Sequence, residues 1–155
     1  MVIQIDSREK QRAIEKIKDY FDRSGIKHIS SKLYVGDYMS LDNPKLIIDR
    51  KQNLLELAGN LCQEHKRFTA ELIRAKEAGI HIIILCEHGG KIQTLEDVKN
   101  WQNPRLKDHP LAMSGERMHK VMSTMQNSDK YSVEFQFCDK RSTGRRIVEL
   151  LAGGA

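Results

Sequence analysis

Little in this chain could staple, anchor or span. Only three cysteines, Cys62, Cys86 and Cys138, occur in 155 residues; odd in number, far apart and without a CxxC, they exclude a disulfide framework and fit a reducing cytoplasm. No apolar run approaches the ~20 residues needed to cross a bilayer. The longest, IIILC from Ile82, is far shorter, and the N-terminus has no signal-peptide pattern, so no membrane segment is expected. Proline is as scarce as cysteine, at three residues, and two of the three bound the stretch NPRLKDHP (103–110), the best loop candidate. Repeats and low-complexity tracts are absent.

What is present is an ordinary globular balance, 39% hydrophobic and 30% charged residues, which excludes disorder. The length suits one domain with a real core. Lys and Arg exceed Asp and Glu, 26 to 21, and the net charge of +5 leans toward polyanionic partners.

The opening MVIQI reads as a strand, followed by a helix through Ile14, Ile17, Tyr20 and Phe21 that Gly25 ends. Residues 26–35 suggest a second strand. A long helix through Leu54, Leu57, Leu61, Phe68, Leu72 and Ala75 stops at Gly79, and IHIIILC suits a strand buried on both faces. A short helix from Thr94, capped with Asp97, ends near Trp101. Ser114 caps a helix striped by Met118, Val121, Met122 and Met125, where methionines pack in the core or on a dimer face. Tyr131, Val133, Phe135 and Phe137 alternate as a last strand, and Ser142 caps a final helix before the tail AGGA. The order predicts an α/β fold with a mixed sheet between helices.

The stretch GDYMSLDNPKLIIDRK (36–51) carries the chemistry. If its two strands pair with Leu41 opposite Lys45, then Asp37 lies opposite Asp49. Opposed like charges in an antiparallel pair are destabilising, and a divalent cation with oxygen ligands, Mg²⁺ or Mn²⁺, would neutralise them. Lys51, two residues beyond Asp49, falls on the same face. It could there orient or activate a water and stabilise charge on a phosphate. The residues alone equally admit Asp37 ending a turn and DRK as a solvated strand end. A one-residue slip would part the aspartates.

GDY, a turn and DRK resemble the GDxxx(E/D)RK signature of the XPF-type, ERCC4-domain endonucleases of the PD-(D/E)XK nuclease superfamily. IDSRE (5–9), RFTAE (67–71) and IIILCE (82–87) extend the similarity over most of the chain. The resemblance implies a three-layer α/β/α restriction-endonuclease-like core, with residues 1–152 one nuclease domain and 153–155 a disordered tail. It implies Mg²⁺- or Mn²⁺-dependent hydrolysis of DNA at branches, flaps or junctions, in repair, recombination or replication. Carried over, Asp37 and Asp49 hold the metal near the Arg50 carbonyl and Lys51 serves the attacking water. Asp6 and Glu9 shape the acidic edge, while Arg8, Arg50 and Arg67 face the scissile phosphate or fix the carboxylates.

Three departures stand out: Asp49 replaces the usual Glu, Leu55 occupies a frequently acidic position with Glu56 one step later, and within these 155 residues no room is expected for the tandem helix-hairpin-helix module of many relatives. The resemblance also implies a homodimer and a prokaryotic or phage setting, with a nuclear location in a eukaryote. The alternatives are a non-catalytic DNA-binding or dimerisation subunit and a Holliday-junction resolvase.

Outside the motif, Arg105 and Lys107 in the proline-bounded loop, and Lys140, Arg141, Arg145 and Arg146 beside a helix start, are candidate DNA contacts or solvated charge. Arg67 and Glu71 have the spacing of a helical ion pair. Glu87 and His88, at the end of the buried strand before Gly89 and Gly90, either border the site or form a strand-end turn, the turn being favoured, and the Cys/His spacings around Cys62 and Cys86 are poor for zinc.

Overall fold

Alternating burial along Val2–Ile5 sends Ile3 and Ile5 into the core and makes this run the first strand, β1. The chain then passes a 3-10 turn at Gln11–Ile14 into helix α1 (Glu15–Arg23), strands β2 (Lys27–Ser30), β3 (Tyr38–Ser40) and β4 (Asn43–Lys51), and helices α2 (Leu54–Leu61) and α3 (His65–Glu77). Strand β5 (His81–Cys86), helix α4 (Gly115–Asn127), strand β6 (Val133–Phe137) and helix α5 (Thr143–Gly153) complete it. The structure, a computed structural model, describes residues 1–153.

The strands form one six-stranded sheet in the order β2-β1-β3-β4-β5-β6. Strand β3 is antiparallel to both its neighbours and every other pair is parallel. All strands but β3 therefore end at the same edge of the sheet. On one face α2, α3 and α4 bring Leu57, Phe68, Leu72, Met118 and Met122 onto Ile47, Ile82, Ile84 and Phe135. On the other, α1 and α5 bring Ile17, Phe21, Ile147 and Leu151 onto Ile3, Ile5, Ile48 and Leu85. This is the three-layer α/β/α arrangement around a mixed sheet. Strand β5 serves both cores, which is why it reads as a continuous apolar run rather than an alternation. The methionine stripe of α4 faces the core.

Several expectations change in detail. The long helix is two: α2 stops at Leu61 and α3 starts at His65, across a stretch containing Gly59, Asn60, Cys62 and His65, all poor helix formers. The strand expected over 26–35 keeps regular pairing only at Lys27–Ser30, because the Asp6 carboxylate takes the Leu33 N–H and turns the chain away. Thr94 and Asp97 do form a reciprocal cap, but the helix behind it is a 3-10 turn, Glu96–Asn100. Pro104–Lys107, expected as loop, is another such turn, led by Asn103. Strand β6 starts at Val133, leaving Tyr131 outside. Ser142 lies within a short 3-10 turn before α5, and Asp139 caps that turn by accepting from Arg141 N. Helix α5 includes Ala152 and Gly153 where a tail was expected; residues 154 and 155 lie outside the described residues.

Candidate active site

The pairing of β3 with β4 sets the site. Tyr38 opposes Ile48 and Met39 opposes Ile47, the register that places Asp37 against Asp49. The turn differs from expectation. Ser40 pairs with Asn43, and a bulge spanning Pro44 to Leu46 absorbs the difference. Pro44 has no N–H to give a ladder, so the bulge falls where it interrupts least.

Gly36 makes the approach to Asp37 feasible. Its φ is +73°, and a Cβ there would lie 2.4 Å from Ile47 Cγ2 and 3.2 Å from the Ile48 carbonyl. Gly36→Ala is therefore expected to lose ~1–3 kcal/mol from backbone strain alone, with the core clash added. Urea unfolding measures it; a midpoint equal to wild type would contradict this account of the turn.

Asp37 and Asp49 face each other closely enough to share a hydrogen bond. Asp37 Oδ2 also accepts the Arg50 backbone N–H at 2.7 Å. Burial, then the charge of Asp49, then that of Glu9 push the Asp37 carboxyl well above its ordinary pKa. Lys51 Nζ lies 3.4 Å from Asp49 Oδ2 and 5.6 Å from the centroid of the Phe68 ring on α3. Burial works to lower the pKa of this ammonium, but the carboxylates of Asp49, Glu56 and Asp37 outweigh it and hold Lys51 above its usual value. It is thus a cation at neutral pH, able to orient water and stabilise anionic charge but carrying no free lone pair.

Strand alternation sends Arg50 to the opposite face, where it is buried. Its Nε donates to Glu9 Oε2 at 2.9 Å, its Nη2 to Glu9 Oε1 at 3.3 Å and its Nη1 to Glu87 Oε1 at 2.5 Å. Arg50 thus holds two carboxylates, one of the two roles considered for it, while also lining the cleft beside Arg8. Tyr38 donates its hydroxyl to Glu9 Oε2 at 2.8 Å, and Thr143 donates to Glu87 Oε2 at 2.6 Å.

Asp6, 3% exposed, is committed elsewhere: it pairs with Arg8 Nε at 2.8 Å and accepts from Leu33 N at 2.8 Å. Burial opposes its ionisation, but the Arg8 guanidinium and the Leu33 N–H outweigh this and keep its pKa below the ordinary value. Asp6 pins the loop that delivers Asp37. Arg8 stays 60% exposed beside a cleft of about 550 Å³ that Glu9, Lys10, Asn53 and Glu56 also line.

Arg67 is exposed on α3, one residue before Phe68, and forms no ion pair with Glu71 among the described residues. Arg105 and Lys107 lie on the Pro104–Lys107 turn; Arg105 lines a second cavity of about 230 Å³ that reaches Leu55. Lys140 and Arg141 meet Lys16 and Arg23 of α1 around a small cleft of about 140 Å³. Arg141 pairs with Asp139, while Arg145 and Arg146 both pair with Glu149. Two carboxylates thus face the four cations of this run, and the pairs are solvent-exposed, so the start of α5 keeps a net positive charge.

Sequence reasoning did not assign roles to Glu56 or Thr143, and for Glu87 it favoured a strand-end turn over a place bordering the site; the structure puts Glu87 in the network that holds Arg50. Glu56 lies at the third position of α2, accepting from Gln52 N while Asn53 caps its own N–H. That capping pattern was readable and places its carboxylate near Lys51.

Among the described residues no group of three His, Cys, Asp or Glu side chains is arranged to hold a metal. The donor chemistry at Asp37 and Asp49 nevertheless fits a hard cation. Mg²⁺ commonly takes one or two carboxylates and keeps waters or phosphate oxygens for the rest of its shell, and two crowded carboxylates are relieved by a dication.

This architecture, with a carboxylate pair and a lysine where β4 reaches the common strand edge, defines an α/β/α chain of the restriction-endonuclease-like class. A family model described as the ERCC4 domain matches residues 5–142, and the chain belongs to that family. Solved structures similar to it include XPF from Aeropyrum pernix, with a TM-score of 0.68 at 19% identity, covering 99% of this chain and 65% of that one. Another is XPF from Aeropyrum pernix in complex with DNA, with a TM-score of 0.67 at 19% identity, covering 99% and 64%. The chain therefore spans slightly less than two-thirds of those proteins, and at such identity the likeness carries the fold. No curated protein sequence matches the chain.

Proposed function

We propose that this chain is a metal-dependent, structure-specific DNA endonuclease acting at branches, flaps or junctions. The observation that carries the reading is the convergence of Asp37, Asp49 and Lys51 on one face at the strand edge. Membership of the ERCC4 domain family and a relative's structure in complex with DNA support it.

Asp37 and Asp49, with the Arg50 carbonyl, would hold Mg²⁺ or Mn²⁺. Bound there, the ion supplies Lewis-acid polarisation of a phosphoryl oxygen and a more acidic water. Lys51 orients that water and stabilises charge that develops on the phosphate. Arg67, which has no partner in the described residues, contacts the phosphate backbone, and Arg8, Arg105, Lys107, Lys140 and Arg141 extend the contact. Arg145 and Arg146, which share the single carboxylate of Glu149, add to the same basic surface. The family resemblance extends the proposal to a homodimer, which sedimentation would test.

Incubation with flap, fork and four-way-junction DNA in Mg²⁺ or Mn²⁺ tests the reading. Cleavage of branched over linear duplex is expected, and paired symmetric nicks would make it a junction resolvase instead. Salt-sensitive DNA binding without cleavage or metal uptake would make it the non-catalytic subunit.

The raised Asp37 pKa gives a second test. An acid that holds its proton more tightly when folded contributes stability that is fully present below its unfolded pKa and lost as pH rises through the folded one. A cation that requires both carboxylates ionised competes with that proton. Mn²⁺ is therefore expected to raise Tm more at about pH 8 than at about pH 5.5. An equal shift at both, in differential scanning fluorimetry, would place the ion elsewhere.

A further inference from the structure

The buried network behind the site is larger than anchoring one arginine requires. Arg50 brings one positive charge to two carboxylates, Glu9 and Glu87, each nearly buried. A single carboxylate would neutralise it, and a second buried charge costs desolvation. Every carboxylate oxygen in the network is nonetheless satisfied: Glu9 by Arg50 and the Tyr38 hydroxyl, Glu87 by Arg50 and the Thr143 hydroxyl. The groups come from the chain after β1, from β3, from β4, from the end of β5 and from the first residue of α5. All lie at the strand edge that carries the site.

We infer that Glu87 and Thr143 are positioning residues, which lock Arg50 and through it the placement of Asp37 and Glu9; this rests on the reading given under Proposed function. Arg50 is the hinge of the argument because its two ends do different things. Its side chain is held by Glu87 on one face of the sheet, while its backbone N–H donates to Asp37 Oδ2 at 2.7 Å on the other. A shift of the guanidinium is therefore transmitted to the carboxylate that faces Asp49.

Thr143 has little freedom to follow. It is fully buried, and a Cβ on the neighbouring Gly144 would lie 2.8 Å from Tyr20 Cβ, so the start of α5 is seated tightly on α1. The hydroxyl of Thr143 thus reaches Glu87 from a fixed point. Seating of α5, remote in sequence from the GDY and DRK segments, completes the site.

The test compares Thr143→Val, Thr143→Ser and Glu87→Gln with the wild type, below the melting temperature of each. Single-turnover cleavage of forked DNA and Mn²⁺ calorimetry are the readouts. Thr143→Val and Glu87→Gln are each expected to lower the cleavage rate at saturating DNA and the Mn²⁺ affinity by about tenfold, the low end of what losing a group bonded directly to a metal-binding residue costs, because both act through Arg50. The DNA concentration for half-maximal rate should not change. Thr143→Ser, which keeps the hydroxyl, is expected to restore both to near wild type. Variants that melt earlier but cleave and bind Mn²⁺ as wild type does would overturn the inference and leave the proposed function standing. A wild type that neither cleaves nor takes up Mn²⁺ would defeat the proposed function, and this inference with it.

Discussion

Lys51→Ala is expected to lower single-turnover cleavage of branched DNA by on the order of 10²–10³-fold, the usual effect of removing one well-placed group that stabilises transition-state charge. The size of the effect follows from what surrounds the ammonium. Asp49 lies 3.4 Å away, and Glu56 and Asp37 are close enough to raise its pKa. Without Lys51 this acidic cluster meets a polyanion with one fewer neutralising charge. The change also removes the Asp49 pair and a cation–π contact with Phe68 worth ~0.5–2 kcal/mol, so some stability is lost, but less than at Arg50 because Asp49 is more exposed and can protonate or hydrate. Circular dichroism and urea unfolding measure that loss separately from the effect on cleavage. Lys51→Ala protein that is folded, binds the forked DNA and cuts it at the wild-type rate would remove Lys51 from the chemistry and deprive the proposed function of its main support.

The parts of this site that could be read from the sequence are those set by strand period and local spacing. Asp37 opposite Asp49, with Lys51 on the same face, needed only a period of two and a register. That register survived although the turn producing it was misjudged, because the bulge over Pro44 to Leu46 shifts pairing at the turn end and leaves Tyr38 opposite Ile48. Layering was equally legible, since the apolar faces of the helices and the doubly buried β5 dictate a sheet between two helical layers. Other contacts were hidden because they join distant segments. Nothing near Glu87 indicates that Arg50 and Thr143, 37 and 56 residues away, meet its two oxygens. Likewise the Asp6 carboxylate reaches Leu33 across 27 residues, and that bond cuts short the strand expected over 26–35. Side-chain pairing within a charge run was missed as well: helix α5 brings Glu149 beside both Arg145 and Arg146.

Arg50→Met is expected to be the most destabilising substitution at this edge, at ~3–5 kcal/mol, because removing one partner of a buried ion pair leaves uncompensated charge. Here it leaves two, Glu9 and Glu87, each at most 10% exposed at the side chain. Methionine roughly fills the aliphatic stem, so the loss isolates the charge and hydrogen bonds from the packing. For a domain of this size the loss corresponds to a fall in Tm on the order of 10 °C. Tyr38 and Thr143 each donate to one of the stranded carboxylates, yet neutral donors cannot replace the guanidinium charge. The sign of the effect can be checked within the same network. Adding Glu87→Gln to Arg50→Met removes one of the two stranded charges and should recover part of the lost stability, whereas Glu87→Gln in the wild-type background should cost stability. A double mutant less stable than Arg50→Met alone would mean that Glu87 holds the fold through contacts other than Arg50, and would break the electrostatic link between the start of α5 and the carboxylates of the site.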